Sequence, residues 1–297
     1  MGGHDTDDPR KFAQEPPFPK EQQSFPGTEK NMDVKPDYGY DTYVGHNKLK
    51  DKVAIITGGD SGIGRAVALA YAREGADVVI SYLNEHDDAK ETARVVEEAG
   101  RQVLLVPGDL AEDSHCQKVV DEAVKKFGRI DILVNNAGFQ GDQVDDFTKI
   151  DRQRLEYAFK TNIIAMFRLS QMSVEHMKPG SAIINTSSIQ AYKPSPGILD
   201  YACTKGAIVA FTKGLGMDLF PKHGIRVNTV APGPVWTPLI VESFPAEKVE
   251  KFGTQTPVNR AAMPKEYGPA FVFLACNEDS SMISGEVLGI TGGLPLA

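Results

Sequence analysis

The sequence predicts an α/β fold: a parallel sheet covered by helices on both faces, in three layers. Two observations carry this. Short apolar runs of strand length alternate with longer segments whose apolar residues recur at helical spacing, from Lys52 almost to the end of the chain. A glycine-rich turn stands between the first such run and the first such helix. Alternation of this kind builds βαβ crossovers, which join parallel strands.

The elements read in order as follows. Residues 53–57 (VAIIT) form the first strand, and 62–74 a helix with Ile63, Val67, Ala70 and Tyr71 on one face. A strand at 78–82, a polar-faced helix at 85–99, a strand at 103–107, a helix at 114–127 and a strand at 130–134 follow. One uninterrupted helix is predicted over 152–177, ended by Pro179 and Gly180. Then come a strand at 182–186, a helix at 200–220, a strand at 225–231, a helix at 265–276 and a strand at 286–290. Ligands of such sheets bind at the carboxyl ends of the strands.

Composition narrows the function. A chain of 297 residues with 41% hydrophobic and 24% charged residues suits one large α/β domain. The net charge of -8 argues against nucleic acid or an anionic membrane as partner, since both need clustered Lys and Arg. Cys116, Cys203 and Cys276 are far apart and odd in number, and the six histidines are scattered. A disulfide framework, zinc site or other metal site is not expected, and a reducing cytoplasm suits the chain. The first ten residues are polar and acidic, unlike a secretory signal, and no run has the length of a membrane helix. Gly2 with Thr6 fits a loose acylation pattern and reads as a chance match.

Residues 1–50 differ from residues 51–297. They hold many prolines and charges and few aliphatics, so they cannot fold alone. Their rings, at Phe12, Phe18, Phe25, Tyr38, Tyr40 and Tyr43, suit an extended arm that docks on the body or on a neighbouring subunit.

The first strand ends in Thr57-Gly58-Gly59-Asp60-Ser61-Gly62-Ile63-Gly64. Glycines at 58, 62 and 64 permit a tight turn and close approach to a pyrophosphate, at which the next helix aims its N-terminal N–H groups. The second strand's tip, Ser81-Tyr82-Leu83-Asn84, carries neither the acid that favours NAD nor the arginine that favours NADP, so the choice between them stays open. Asp109, beside Leu110 at the third tip, can bond an adenine amino group or serve as a turn residue. Asn135-Asn136-Ala137-Gly138 ends the fourth strand with small residues against which a ribose can lie.

Tyr201 and Lys205 stand four apart on a predicted helix and so share a face. An adjacent ammonium favours the phenolate, which lets a tyrosine trade protons with a carbonyl or alcohol oxygen. Ser188, after the fifth strand, can hydrogen-bond that oxygen from a second side, with Ser187 as the competing choice. Asn162 lies within an apolar-faced helix, either as a holder of a water that links Lys205 to solvent or as a satisfied core amide.

Taken together, these residues resemble the short-chain dehydrogenase/reductase family in its single-domain form. The TGGDSGIG turn, Asn135-Asn136-Ala137-Gly138, Asn162, the Ser188–Tyr201–Lys205 set and Pro232-Gly233-Pro234-Val235 with Thr237 occur in family order across about Lys50 to Ala297. The resemblance implies a Rossmann-type doubly wound sheet of seven strands. It implies a catalytic set of Asn162 (proton-relay water), Ser188 (carbonyl orientation), Tyr201 (acid/base) and Lys205 (nicotinamide ribose and a lowered phenol pKa). Its cofactor set is Gly58, Ser61, Gly62, Ile63, Gly64, Tyr82, Asp109, Leu110, Asn135, Ala137, Gly138, Tyr201, Lys205, Pro232, Gly233, Val235 and Thr237, around NAD or NADP. The FPK, KPDYG and GGDSGIG pieces look like the branch labelled general stress proteins or aldehyde reductases, which implies a homotetramer whose arms embrace neighbours.

The expected activity is hydride transfer between a nicotinamide and a small, rather apolar aldehyde, ketone or alcohol. The apolar segment 237–262 suits a lid, and Phe139, Gln190 and Tyr192 suit the pocket. The alternative is a catalytically silent dinucleotide-binding sensor or scaffold, against which the intact Ser188, Tyr201 and Lys205 argue.

Overall fold

The computed structural model describes residues 8–296; the pattern at Gly2 and Thr6 lies outside the described residues. Seven strands form one parallel sheet in the order β3-β2-β1-β4-β5-β6-β7. They are β1 (Val53–Thr57), β2 (Asp77–Tyr82), β3 (Val103–Pro107), β4 (Ile132–Asn135), β5 (Ala182–Thr186), β6 (Arg226–Pro232) and β7 (Val287–Ile290). The strand order reverses between β1 and β4, which opens a crevice at their carboxyl ends.

Pleat alternation sends successive side chains of each strand to opposite faces, and both faces are apolar. Ala54, Ile56, Val78, Ile80, Ile132 and Val134 join the core under α1 (Gly62–Arg73), α2 (His86–Glu98) and α9 (Gly268–Ala275). Ile55, Val79, Leu133 and Ile183 join the opposite core under α3 (Asp113–Phe127), α5 (Ala165–Val174) and α6 (Leu199–His223). The remaining short helices are α4 (Arg152–Phe159), α7 (Pro238–Ser243), α8 (Ala246–Val249) and α10 (Asn277–Ser280).

The long helix predicted over 152–177 runs continuously over 152–174 but is irregular. A π-helical turn, Lys160–Ile164, separates α4 from α5. Its extra residue turns Asn162 inward, where the side chain is buried, while Ile164 and Phe167 remain exposed. At the other end of the chain, Pro264–Glu266 forms a 3₁₀ turn, so α9 starts later than apolar spacing suggests. Among the described residues no helix is long and apolar enough to cross a membrane.

The arm is extended, with short 3₁₀ turns at Pro9–Lys11 and Glu29–Asn31. The rings suit docking on the body or on a neighbouring subunit, and the family resemblance implies the neighbour. In the structure it lies on the body of its own chain, where Trp236 offers a flat apolar seat. Phe18 stacks on that ring at 3.8 Å between centroids and 7° between planes. The Trp236 indole N–H donates to the Val34 carbonyl at 2.9 Å. Met32, Ile240, Val241, Val249 and Met263 complete a third, smaller core between arm and body. The arm's base is held by Glu74, which accepts the Tyr43 hydroxyl and the N–H groups of His46 and Lys48. Its start is held by Arg260, which donates to the carbonyls of Pro9 and Arg10.

Phe18 is 3% exposed. Phe18→Ala is therefore expected to lower the unfolding free energy by about 3 kcal/mol in urea denaturation. An unchanged midpoint would mean that the arm is not seated this way in solution.

Candidate active site

The crevice at the β1/β4 switch point begins with the glycine turn. Gly58 has φ of +60°, and a Cβ there would lie 3.0 Å from the Ala137 Cα. Gly64 has no alternative, because a Cβ would meet the Gly58 carbonyl oxygen at 1.8 Å. The turn is locked to the β4 tip. The Thr57 hydroxyl oxygen accepts the N–H groups of Asn136 and Ala137, both at 3.0 Å. The Asn136 amide donates back to the carbonyls of Thr57 and Gly58.

From there a cleft of about 740 Å³ runs along the carboxyl edge of the sheet. Its walls include Gly58, Ser61, Gly62, Ile63, Tyr82, Asp109, Leu110, Ala137, Gly138, Ser188, Tyr201, Lys205, Pro232, Gly233, Val235 and Thr237 from the expected set. Gly64 lies behind the turn and acts through packing. Asn135 faces the core, where its amide donates to the Asn185 side chain at 2.9 Å. The cleft takes its neighbour Asn136 instead. Asp109 caps its own turn, with Oδ1 accepting the Ala111 N–H at 2.8 Å, and receives the Tyr157 hydroxyl at 3.3 Å. Phe139 and Gln190 reach the cleft wall; Tyr192 does not.

At the far end, one helical turn of α6 brings Lys205 Nζ to 5.2 Å from the centroid of the Tyr201 ring. Both side chains are buried. Lys205 Nζ donates to the Thr186 carbonyl at the β5 tip at 2.7 Å. The Ser187 hydroxyl donates to the Lys205 carbonyl at 2.8 Å and so pins α6 to β5. Ser188 is the serine beside the phenol, and its hydroxyl also accepts the Gln190 N–H at 3.1 Å.

Electrostatics depart from the sequence expectation. A lowered phenol pKa was the role assigned to the ammonium, yet burial pushes the Tyr201 phenol up to about 12, with the Ser188 hydroxyl acting the other way. Burial also pushes Lys205 down to about 7. The physical reason is shared: both groups sit away from water with no ionised partner against the lysine, and desolvation disfavours each charged form.

Asn162 makes three hydrogen bonds to protein. Its oxygen accepts the Phe139 N–H at 2.7 Å, and its amide donates to the Phe139 carbonyl and the Thr204 hydroxyl. A Cβ on Gly138 would lie 3.5 Å from Lys205 Nζ and 3.7 Å from Asn162 Oδ1, so both border the space over that glycine.

Sequence reasoning passed over part of the wall. Asp60 and Glu85 line the cleft near Tyr82, and burial together with Glu85 raises the Asp60 carboxyl to about 7. Asp60 stands within the glycine turn, whose sequence pattern gives it no role. Phe25, Pro26 and Gly27 come from the arm, and their ring-Pro-Gly sequence signals a turn without saying where it docks. In the segment expected to suit a lid, α7 contributes Pro238, Leu239 and Ile240 to the cleft wall and α8 contributes Glu247 and Lys248. Among the described residues no group of His, Cys, Asp and Glu side chains is placed to hold a metal ion.

A family profile described as enoyl-(acyl carrier protein) reductase matches residues 58–295. General stress protein 39 of Bacillus subtilis (strain 168) is 49% identical over 281 residues, covering 93% of this chain and 97% of that protein. The chloroplastic NADPH-dependent aldehyde reductase 1 of Arabidopsis thaliana is 49% identical over 280 residues, covering 92% and 96%. The crystal structure of 3-ketoacyl-(acyl-carrier-protein) reductase from Brucella melitensis complexed with NADH superposes with a TM-score of 0.75 at 31% identity, covering 82% of this chain and 98% of that one. Fold, glycine turn and these similarities agree: the chain belongs to the short-chain dehydrogenase/reductase family, oxidoreductases built on an NAD(P)-binding Rossmann-type sheet.

Proposed function

We propose that the protein interconverts a small, largely apolar aldehyde or ketone and the matching alcohol, with a nicotinamide dinucleotide as hydride partner. The observation that carries this reading is the cluster of Tyr201, Lys205 and Ser188 in the same cleft as the glycine turn. The cleft suits a dinucleotide. It has the volume of a cofactor pocket, Ser61, Gly62 and Ile63 at the start of α1 line it with the Gly62 N–H held by Glu29, and the space over Gly138 beside Lys205 is free of side-chain carbon. When bound, the dinucleotide supplies or accepts the hydride.

The chain's residues do the rest. The glycine turn, Ala137, Gly138 and the 232–237 loop hold the dinucleotide, with Lys205 at its ribose. NAD and NADP both fit this reading; the Arabidopsis relative is named for NADPH and the Brucella neighbour holds NADH. Ser188 orients the carbonyl oxygen. Tyr201, kept protonated by burial, gives that oxygen its proton in the reducing direction, and takes one from the alcohol in the other. Asn162 fixes Phe139 and Thr204 and borders the space from which a water can link Lys205 to solvent. Pro238, Leu239, Ile240 and Phe244 give the substrate end its apolar character.

A homotetramer is part of this reading. Ile164 and Phe167 near α5 and Met217 on α6 are 52%, 44% and 79% exposed, an apolar surface suited to another copy. With the arm seated on its own body, arm exchange is an additional route between copies. A cytoplasmic location suits its three free cysteines.

Tyr201→Phe is expected to lower turnover of a responsive aldehyde by about 1,000-fold while dinucleotide affinity, measured by nicotinamide fluorescence, stays within about twofold. Turnover near the wild-type rate would remove Tyr201 from the chemistry. No turnover of any carbonyl by the wild type, despite tight dinucleotide binding, would favour the sensor reading.

The pH dependence has a fixed sign. With the Tyr201 phenol at about 12, the protonated donor is nearly constant from pH 7 to 9. The phenolate fraction grows about tenfold per pH unit over the same range. Alcohol oxidation is therefore expected to climb with pH, while aldehyde reduction does not. Reduction that climbs with pH would contradict the assignment.

A further inference from the structure

One wall of the cleft is not supplied by the sheet. Phe25, Pro26 and Gly27 of the arm line it, and residues 25–29 touch three separate parts of the body. Phe25 stands edge-on to Phe139, 5.1 Å between centroids at 85°, and to Tyr157, 6.2 Å at 80°. Phe139 follows the β4 tip, and Tyr157 reaches Asp109 at the β3 tip. Gly27 donates its N–H to the Glu242 carboxylate on α7, beside a second arm contact in which the Gln23 N–H donates to the Val241 carbonyl at 2.8 Å. Glu29 accepts the Gly62 N–H of the glycine turn at 2.6 Å and pairs with Arg65 of α1. Asp88 of α2 accepts the N–H groups of Glu29 and Lys30 at 2.7 and 3.2 Å.

The attachment is uneven. The arm is firm on either side of the Phe25 ring: upstream Phe18 is stacked on Trp236, and downstream Glu29 is buried against Arg65. The Phe25 ring is lightly held, 45% exposed and touched by ring edges, whereas Gly27 is buried with its N–H on the Glu242 carboxylate. Gly27 fits without slack: a Cβ there would lie 2.9 Å from the Pro238 carbonyl oxygen and 3.1 Å from Glu242 Oε2. With firm contacts before and after it, a ring held by its edges and one hydrogen bond to the body at Gly27, this stretch can lift while the arm stays attached.

We propose that Phe25–Glu29 is a strap across the dinucleotide cleft, and that a bound dinucleotide exchanges only when the strap lifts from Phe139 and Glu242. This rests on the reading that a dinucleotide occupies the cleft. The strap joins the β3 and β4 tips to the lid helix α7 over the glycine turn, and its roof residues and the turn line one cavity. It therefore sets how long the cofactor stays and leaves the hydride and proton steps to Tyr201 and its neighbours.

The test uses the full chain with NADH and NADPH in turn. Reduced dinucleotide is bound first, then chased in a stopped-flow instrument with excess non-fluorescent oxidised dinucleotide. Phe25→Ala, which truncates a half-exposed ring, and Gly27→Ala, which pushes the strap off Pro238 and Glu242, are each expected to speed release about tenfold or more, and association as well. Release within about threefold of wild type in Phe25→Ala overturns the strap even if Gly27→Ala fails to fold. Wild type that binds neither dinucleotide overturns the cofactor reading along with it, whereas normal wild-type binding with unchanged release in the variants overturns the strap alone.

Discussion

A lysine ammonium buried beside a phenol is the constraint around which this fold is arranged. Removing Lys205 from water is unfavourable, and no carboxylate is placed against it. The chain offsets this with oriented dipoles: the Thr186 carbonyl accepts the ammonium, the Ser187 hydroxyl grips the helix backbone at the same residue, and Asn162 with Thr204 fixes the preceding turn. Thr186 and Ser187 lie at the carboxyl end of β5, Thr204 lies on α6, and Asn162 lies in the π-turn between α4 and α5. A parallel sheet is what brings them to one edge, and the same edge carries the glycine turn.

Much of this was legible in the sequence. β1 and β3 fall at the residues their apolar runs mark: β1 is buried on both faces and shows as an unbroken run, and β3, half-buried at the sheet edge, keeps an apolar run bounded by Gln102 and Gly108. The Tyr201–Lys205 proximity follows from helical spacing alone. What escaped was register and local irregularity. Asn135 and Asn136 look equivalent in sequence, but the last strand residue points to the core and the next points to the cleft. The π-turn at Lys160–Ile164 leaves no mark in apolar periodicity, since α4 and α5 keep helical spacing on either side of it. The balance of Tyr201's pKa depended on how deeply the phenol is buried, which spacing does not report.

The arm was the least legible part. Its rings announced that it docks, yet the docking partners are single residues scattered along the body: Trp236, Glu74, Arg260, Arg65 and Asp88. None of these pairings has a local pattern. Their effect is to bring Phe25, Pro26 and Gly27 of the arm into the wall of the cleft. Cleft chemistry and arm docking are thus parts of one arrangement.

The central claim is that hydride passes between a nicotinamide held in this cleft and a carbonyl carbon. The most direct measurement follows the hydride itself. Reduced dinucleotide carrying deuterium at both C4 positions is incubated with the protein and a panel of small aldehydes, and the alcohols are examined by mass spectrometry. The account predicts an alcohol heavier by one deuterium at the former carbonyl carbon. An alcohol formed without the label, or dinucleotide bound and retained with no alcohol from any aldehyde, would contradict it.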